Sequence, residues 1–260
     1  MDAELKTAAN DLASLVEQSS RALAFTGAGL STECGIPDFR SPGGLWTRNK
    51  PIPFDAFVTS RAARSEAWRR KFAMDESFKA AVPGRGHRAL AAMVATGRLR
   101  GIVTQNIDNL HQDSGVPGER LIELHGNGTY ATCLHCARRY ELGWVREAFE
   151  AAGGEAPDCS ACGGPVKSAT ISFGQAMPEA EMRRALDWSV EADLFIAIGS
   201  SLVVHPAAGL PVAAKRAGAR LVILNREDTP LDGLADRVIA ADIGTVLQSV
   251  VERLGIAGPG

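Results

Sequence analysis

A mostly apolar run from Arg21 to Thr26 passes directly into Gly27-Ala28-Gly29, and this junction constrains the chain more than any other feature. A short run with no polar face reads as a strand buried on both sides. Glycine has no Cβ, so Gly27 and Gly29 permit a sharp turn and a close approach of backbone to a ligand. Ser31 and Thr32 stand where a following helix takes its cap, with its first N–H groups turned toward an anion. Strand, Gly-x-Gly turn and helix start form the pyrophosphate half of a dinucleotide site, although position 32 is Thr where the usual fingerprint has a third glycine. The continuation Gly35-Ile36-Pro37-Asp38-Phe39-Arg40 sets an acid, an aromatic ring and a guanidinium beside the turn. A plain glycine-rich surface loop is the alternative, and it gives no reason for those three side chains.

The same strand-then-turn pattern recurs. Leu99 to Thr104 is apolar and ends in Gln105-Asn106-Ile107-Asp108-Asn109; Asp193 to Ile198 ends in Gly199-Ser200-Ser201; Arg220 to Leu224 ends in Asn225. Leu121 to Leu124 leads into His125-Gly126, and Val238 to Ala241 is a last short strand. Between them, helical patterns run over residues 4–18, 61–81, 87–96, 179–190, 206–217 and 245–254, with Trp68, Phe72 and Phe78 as core anchors of the second. Strands alternating with helices predict an α/β fold with a doubly wound parallel sheet, whose ligands sit at the carboxyl ends of the strands. Residues 41–59 carry Pro42, Gly43, Gly44, Pro51 and Pro53 and read as a long loop, of the kind that covers a site. Alternation over Ala169 to Phe173 predicts one more strand.

Residues 127–167 differ in character. Cys133 and Cys136 form one C-x-x-C, Cys159 and Cys162 a second, and few aliphatic runs lie between. Four thiolates complete a tetrahedral Zn²⁺ shell and leave no open position, so the metal is expected to be structural. Cys34 is the odd cysteine and reads as a small residue beside a tight turn. Of the five histidines, His125 stands at a strand end and is the candidate general base, a core or loop histidine being the alternative. His87 suits a helix start and a capping role, His111 a cap or a packing role, His135 an exposed knuckle position and His205 a loop wall. Asn106 and Asp108 could read an amide group of a ligand, or simply stabilise a turn.

Composition narrows the classes. The 260 residues carry a net charge of −2, so nucleic acid is not the expected partner. The first twenty residues bear early acids and no long apolar core, and no apolar stretch nears the roughly 20 residues of a membrane span. A cytoplasmic protein is expected, with no membrane partner; in a nucleated cell it could also be nuclear.

Taken together, GAGLSTECGIPDFRSPGGLW, TQNIDNLH, ELHGN, the two C-x-x-C pairs, SFGQAMP, GSSLVVHPA and ILNRE resemble the sirtuins, the NAD-dependent protein deacylases, in order and over nearly the whole chain. The resemblance implies a Rossmann-like domain built from residues 1–39, 82–126 and 168–260. It also implies a smaller domain made of a helical module with a cofactor loop, 40–81, and a zinc module, 127–167. NAD and an acyl-lysine peptide would enter the cleft between the two domains. Gly27, Ala28 and Gly29 would approach the pyrophosphate, and Thr32, Asp38, Phe39, Arg40 and Trp46 would contact the cofactor. Gln105, Asn106, Ile107 and Asp108 would hold the nicotinamide end. Gly199, Ser200 and Ser201 would take phosphate and ribose groups, and Asn225, Arg226, Glu227 and Ile243 the adenosine. Phe173, Gly174 and Gln175 would pair with the substrate backbone opposite Val203 and Val204. His125 would act as base, with Asn106 beside it, and the products would be nicotinamide, O-acyl-ADP-ribose and free lysine. Mono-ADP-ribosyl transfer or NAD hydrolysis in the same pocket, or NAD and zinc binding without catalysis, are the competing readings. Gln175 departs from the acid frequent after Phe-Gly, and the spaced Tyr and Arg of desuccinylase-type members are not evident, so neutral acyl groups such as acetyl are expected.

Overall fold

The computed structural model describes residues 3–39, 44, 46 and 50–256. In chain order its helices are α1 (Ala3–Gln18), α2 (Phe54–Thr59), α3 (Arg61–Phe78), α4 (Arg85–Ala95), α5 (Leu110–Asp113), α6 (Leu142–Ala151), α7 (Glu179–Glu191), α8 (Gly209–Arg216) and α9 (Ile243–Arg253). Its strands are β1 (Ala22–Thr26), β2 (Gly101–Thr104), β3 (Leu121–Glu123), β4 (Gly126–Cys133), β5 (Arg139–Glu141), β6 (Val166–Thr170), β7 (Leu194–Ile198), β8 (Arg220–Leu224) and β9 (Arg237–Ile239).

Six strands form one sheet in the order β3-β2-β1-β7-β8-β9, and every pairing in it is parallel. Numbered within the sheet this is the doubly wound order 3-2-1-4-5-6, whose direction reverses between β1 and β7. Both central strands are buried on both faces, which is why their sequences run apolar without alternation. Ala22 and Ala24 of β1 pack with α1, α4 and α9 on one side. Leu23 and Phe25, offset by one residue, pack with α7 and α8 on the other. Asp193 ties the starts of β1 and β7 by accepting from the Ser20 and Arg21 amides at 2.8 and 3.0 Å.

The second sheet is small and antiparallel, in the order β5-β4-β6. It shares a core with α3 and α6 in which Trp68, Phe72, Val145 and Phe149 surround Cys133 and Cys159. Trp68 Nε1 donates to the Val166 carbonyl at 3.0 Å, so the helical and cysteine segments form one packed body.

Several sequence expectations change. Part of the stretch 41–59 is helical: α2 begins after Pro53, whose φ of −63° and ψ of 156° suit a helix entry. Prolines hid it. The segment 127–167 contains two strand pairings and a ten-residue helix, which period arguments miss because each element is short. The strand expected at Ala169 to Phe173 runs instead over Val166–Thr170, set by pairing with β4.

Candidate active site

The two glycine turns at the reversal point touch. Gly27 N donates to Ile198 O at 2.9 Å and Gly29 N to Gly199 O at 2.8 Å. A Cβ on Gly27 would sit 2.7 Å from Gly199 O, and one on Gly29 2.8 Å from Gly199 Cα. These glycines are therefore required by the neighbouring strand end, whatever ligand lies above them. Residues Ala28–Cys34 form a 3-10 turn after Gly27, which offers no side-chain cap. The expected capping by Ser31 and Thr32 does not occur. Ser31 is buried and donates to Asp108 Oδ2 at 2.6 Å, and Thr32 donates back to Gly29 O at 2.9 Å.

Asn106 Nδ2 donates to Gly27 O and to Ser31 Oγ, both at 3.2 Å. Both amide hydrogens are thus directed at the turn, and Oδ1 is the acceptor left for the cavity. Asp108 accepts from Ser31 and from Leu110 N at 3.0 Å, and it braces the turn from behind without lining the cavity. Gln105 Nε2 bridges to Ser200 Oγ at 2.8 Å, joining the ends of β2 and β7. One residue beyond β3 and Leu124, His125 Nδ1 lies 2.9 Å from Gln105 O. A carbonyl only accepts, so Nδ1 carries the proton and Nε2 is the basic nitrogen of the ring. Glu123 turns its carboxylate to Gln112 and Asn127, at 2.8 and 2.9 Å.

Of these groups, Gly27, Gly29, Thr32, Gln105, Asn106, His125 and Ser200 line a cavity of about 1040 Å³ that runs along the strand ends and reaches residues of the smaller body. Small-molecule sites commonly hold about 300–1,000 Å³, so the volume admits a dinucleotide and a second, slimmer occupant. Gly27, Ala28, Gly29 and Thr32 wall it together with Gly199, Ser200 and Ser201, and Gln105, Asn106, Ile107 and His125 line it as well. At one end stand Asn225, Arg226, Glu227 and Ile243, with Asn225 Nδ2 donating to Glu227 O at 2.7 Å and Arg226 3.6 Å from Asp242. At the other end Phe39, Trp46 and Phe173 follow one another, 5.1 Å between successive ring centroids, the first pair tilted and the second edge to face. Asp38, Gly174, Gln175, Val204 and His205 also line the cavity, whereas Val203 lies outside its wall and is 45% exposed. Gln175 Oε1 accepts from Ser172 N at 3.1 Å, folding its amide back onto its own turn. Arg40 lies outside the described residues.

Sequence reasoning passed over Glu33 and Lys167, which also reach the cavity. Glu33 accepts from Gly86 N at 2.7 Å, and a Cβ on Gly84 or Gly244 would strike its carboxylate at 2.5 or 2.2 Å. The partners lie some 50 and 210 residues away, so no local pattern announces the contact.

Behind the turn, His87 and His111 face each other at 5.1 Å between centroids, both fully enclosed. His87 caps nothing, since Gly84 is the N-cap of α4; its Nδ1 meets Cys34 Sγ at 3.6 Å. His111 Nε2 lies 2.9 Å from Thr26 Oγ1. Burial pushes His111 down to about 3 and lowers His87 as well, so both rings are neutral at physiological pH. Burial raises Cys34, which stays a thiol and acts as the small residue its position asks for.

In the smaller body, the four Sγ atoms of Cys133, Cys136, Cys159 and Cys162 lie within 4.8 Å of one another. The pairs Cys133–Cys162 and Cys136–Cys159 are 3.5 and 3.6 Å apart. Sulfurs about 2.3 Å from a tetrahedral Zn²⁺ stand about 3.8 Å from each other, so the cluster fits that ion with all four positions supplied by thiolates. His135 N and Ala161 N each point at a sulfur at 3.4 Å, and Tyr140 Oη donates to Cys159 Sγ at 3.1 Å, lowering that thiol to about 6. His135 is exposed, with its ring over Gly164.

An open parallel sheet with a crevice at its reversal point defines a dinucleotide-binding α/β architecture. The Sir2 family model matches residues 27–206. The chain is 60% identical over 244 residues to NAD-dependent protein deacetylase 1 of Bradyrhizobium diazoefficiens, covering 94% of this chain and 95% of that one. A solved Sir2 structure with a deacetylated p53 peptide and 3'-O-acetyl-ADP-ribose matches with a TM-score of 0.87 at 33% identity, over 95% of this chain and 99% of its own. Another, of Sir2 with a p53 peptide and NAD⁺, matches with a TM-score of 0.84 at 35% identity, over 95% and 98%. The chain belongs to the Sir2 family, the sirtuins.

Proposed function

We propose that this sirtuin is an NAD-dependent protein-lysine deacylase that removes acetyl groups and yields nicotinamide, O-acyl-ADP-ribose and free lysine. The observation that carries the reading is His125, held by the Gln105 carbonyl through Nδ1 so that Nε2 is its basic nitrogen, in the wall of a cavity large enough for two substrates. The 60%-identical relative is itself named a deacetylase, which supports acetyl as the acyl group. Bound NAD supplies the sugar carbon that takes up the acyl oxygen as nicotinamide leaves. The chain's part is to bind, orient, exclude water and accept one proton at His125 Nε2.

In this reading Gly27, Ala28 and Gly29 lie under the pyrophosphate, and Thr32, Asp38, Phe39 and Trp46 contact the cofactor, as Arg40 is expected to. Gln105, Asn106 and Ile107 receive the nicotinamide half, and Asp108 holds their turn in place. Ser200 and Ser201, next to Gly199, take polar oxygens. Asn225, Arg226, Glu227 and Ile243 bound the adenosine end. Phe173, Gly174 and Gln175 meet the peptide on one side and Val204, with Val203 at the rim, on the other. Residues 1–39, 82–126 and 168–260 act as the Rossmann-like body, and 40–81 with 127–167 as the smaller domain, with β6 crossing between them. Zn²⁺ on the four cysteines keeps the smaller domain folded.

Among the described residues no helix is long and apolar enough to cross a membrane. Four clustered thiolates and a thiol at Cys34 call for a reducing compartment, so we place the protein in the cytoplasm.

The test is mass spectrometry of products after incubation with NAD and an acetyl-lysine peptide. Free lysine peptide and O-acetyl-ADP-ribose are expected, and His125→Ala should lower turnover about 10²–10⁴-fold at an unchanged melting temperature. ADP-ribose mass added to protein with no deacetylated peptide, or full turnover by the alanine variant, would overturn the assignment.

A further inference from the structure

Lys167 is an anomaly of the cleft. It is 4% exposed, and no carboxylate among the described residues pairs with it. Its Nζ donates to Thr170 O at 2.5 Å and to Ser168 O at 3.3 Å, and it lies 5.9 Å from the centre of the Phe57 ring. Burial alone pushes the ammonium down to about 8. A buried cation without a counter-charge is unfavourable, and an apolar side chain of the same length would pack without that cost. The charge therefore has a use that packing does not supply.

Its position suggests which. Lys167 lies on β6, which separates the cleft from a second cavity of about 470 Å³, and it borders both. At the start of β6, Val166 pairs with Cys133 of the thiolate cluster. At its end, Thr170 pairs with Gly126, and the next residue, Ile171, donates to the carbonyl of His125 at 2.8 Å. Phe173 O then accepts from Phe54 N at 2.9 Å. The carbonyls that Lys167 gathers are thus the last fixed points before the segment 171–175, which walls the cleft beside the imidazole.

Resting on the deacylase reading above, we propose that Lys167 is a positioning residue for the acyl-lysine substrate: its ammonium, seated on the Ser168 and Thr170 carbonyls beside the Phe57 ring, sets the 171–175 segment against His125. Lysine is suited to this because three donors on one atom can gather carbonyls that point from a single strand. The Phe57 ring, within reach of a cation–π contact, holds the head group over that strand end.

The test is steady-state kinetics of the full chain with NAD and an acetyl-lysine peptide, for the wild type, Lys167→Arg and Lys167→Met. The methionine variant should raise the peptide KM about tenfold and leave the NAD KM within about twofold, while arginine restores the peptide KM to within about threefold of wild type. An unchanged peptide KM in Lys167→Met overturns the proposal. So does a parallel rise of both KM values with falling zinc content and melting temperature, which is the signature of a merely structural lysine. Should Lys167→Met not fold, Phe57→Leu decides: a peptide KM raised about threefold supports the proposal, and an unchanged one overturns it. Wild-type turnover of the same peptide is measured first. Its absence defeats the deacylase reading and this proposal together, whereas wild-type turnover with indifferent variants defeats this proposal alone.

Discussion

The two bodies of the molecule reach stability by different routes. The parallel sheet is sandwiched between two apolar layers, with α1, α4 and α9 on one face and α7 and α8 on the other. Its functional geometry comes from backbone touching backbone, as where Gly27 and Gly29 meet Gly199. The smaller body has a core in which two of the buried positions are themselves thiolate ligands, Cys133 and Cys159. A core that small needs a metal to close it. The difference teaches that glycine in the large body has a packing function, while in the small one sulfur chemistry does the organising.

Removing the metal should break the comparison most visibly. A strong chelator takes away binding energy on the order of 10 kcal/mol from the smaller body, which is then expected to unfold while the parallel sheet persists. Limited proteolysis should cut between residues 127 and 165, activity should vanish, and cleavage of the sheet strands at the same rate would show that the two bodies are one cooperative unit.

Acid should find the large body's own weak point. His111 in the folded chain takes a proton only near pH 3, against about 6.5 when unfolded. Between these values the unfolded state binds more protons, so stability is full above about 6.5 and falls as pH drops toward 3, by about 5 kcal/mol over the whole window. His87 is shifted the same way by burial and adds to the slope. Urea unfolding of His111→Gln should show a pH slope shallower by about 1.4 kcal/mol per unit between pH 4 and 6; an identical slope would exclude His111 as the acid-sensitive group.

A pair of alanine substitutions sharpens the contrast at the level of single glycines. Gly27→Ala places a methyl 2.7 Å from Gly199 O and 2.9 Å from Ser200 Cα, both backbone, so the strand ends must part. A loss of about 1–3 kcal/mol is expected, with a larger rise in the KM for NAD than for peptide. Gly143, in α6, meets nothing within 4 Å. Gly143→Ala should be neutral or stabilising by up to about 1 kcal/mol in thermal melts. Equal destabilisation at both sites would remove the distinction drawn between the two bodies.

Much of this was legible beforehand, but unevenly. Runs such as Leu194–Ile198 and Arg220–Leu224 announce themselves because a strand buried on both faces must be apolar throughout. The cysteine pairs are legible because a thiolate shell demands a fixed spacing. Helix α2 was hidden by its flanking prolines, and α6 by its short length between charged residues. Most of the expected site residues line one cavity, but the groups they bond to could not be read from the sequence. Ser31 looks like a cap and is a donor to Asp108, 77 positions on; His87 looks like a cap and is a buried ring against Cys34 and His111.

The sequence by itself determined the periodicities, the glycine turns and the four sulfurs, because these are properties of neighbouring residues. Only the tertiary structure decided which strand ends meet, that the glycines serve each other, that Asp108 works from behind the cavity and that Lys167 is buried without a counter-charge. Those facts depend on contacts between residues tens to hundreds of positions apart, and no local pattern of side chains encodes which distant backbone will arrive at a given hydrogen-bonding group.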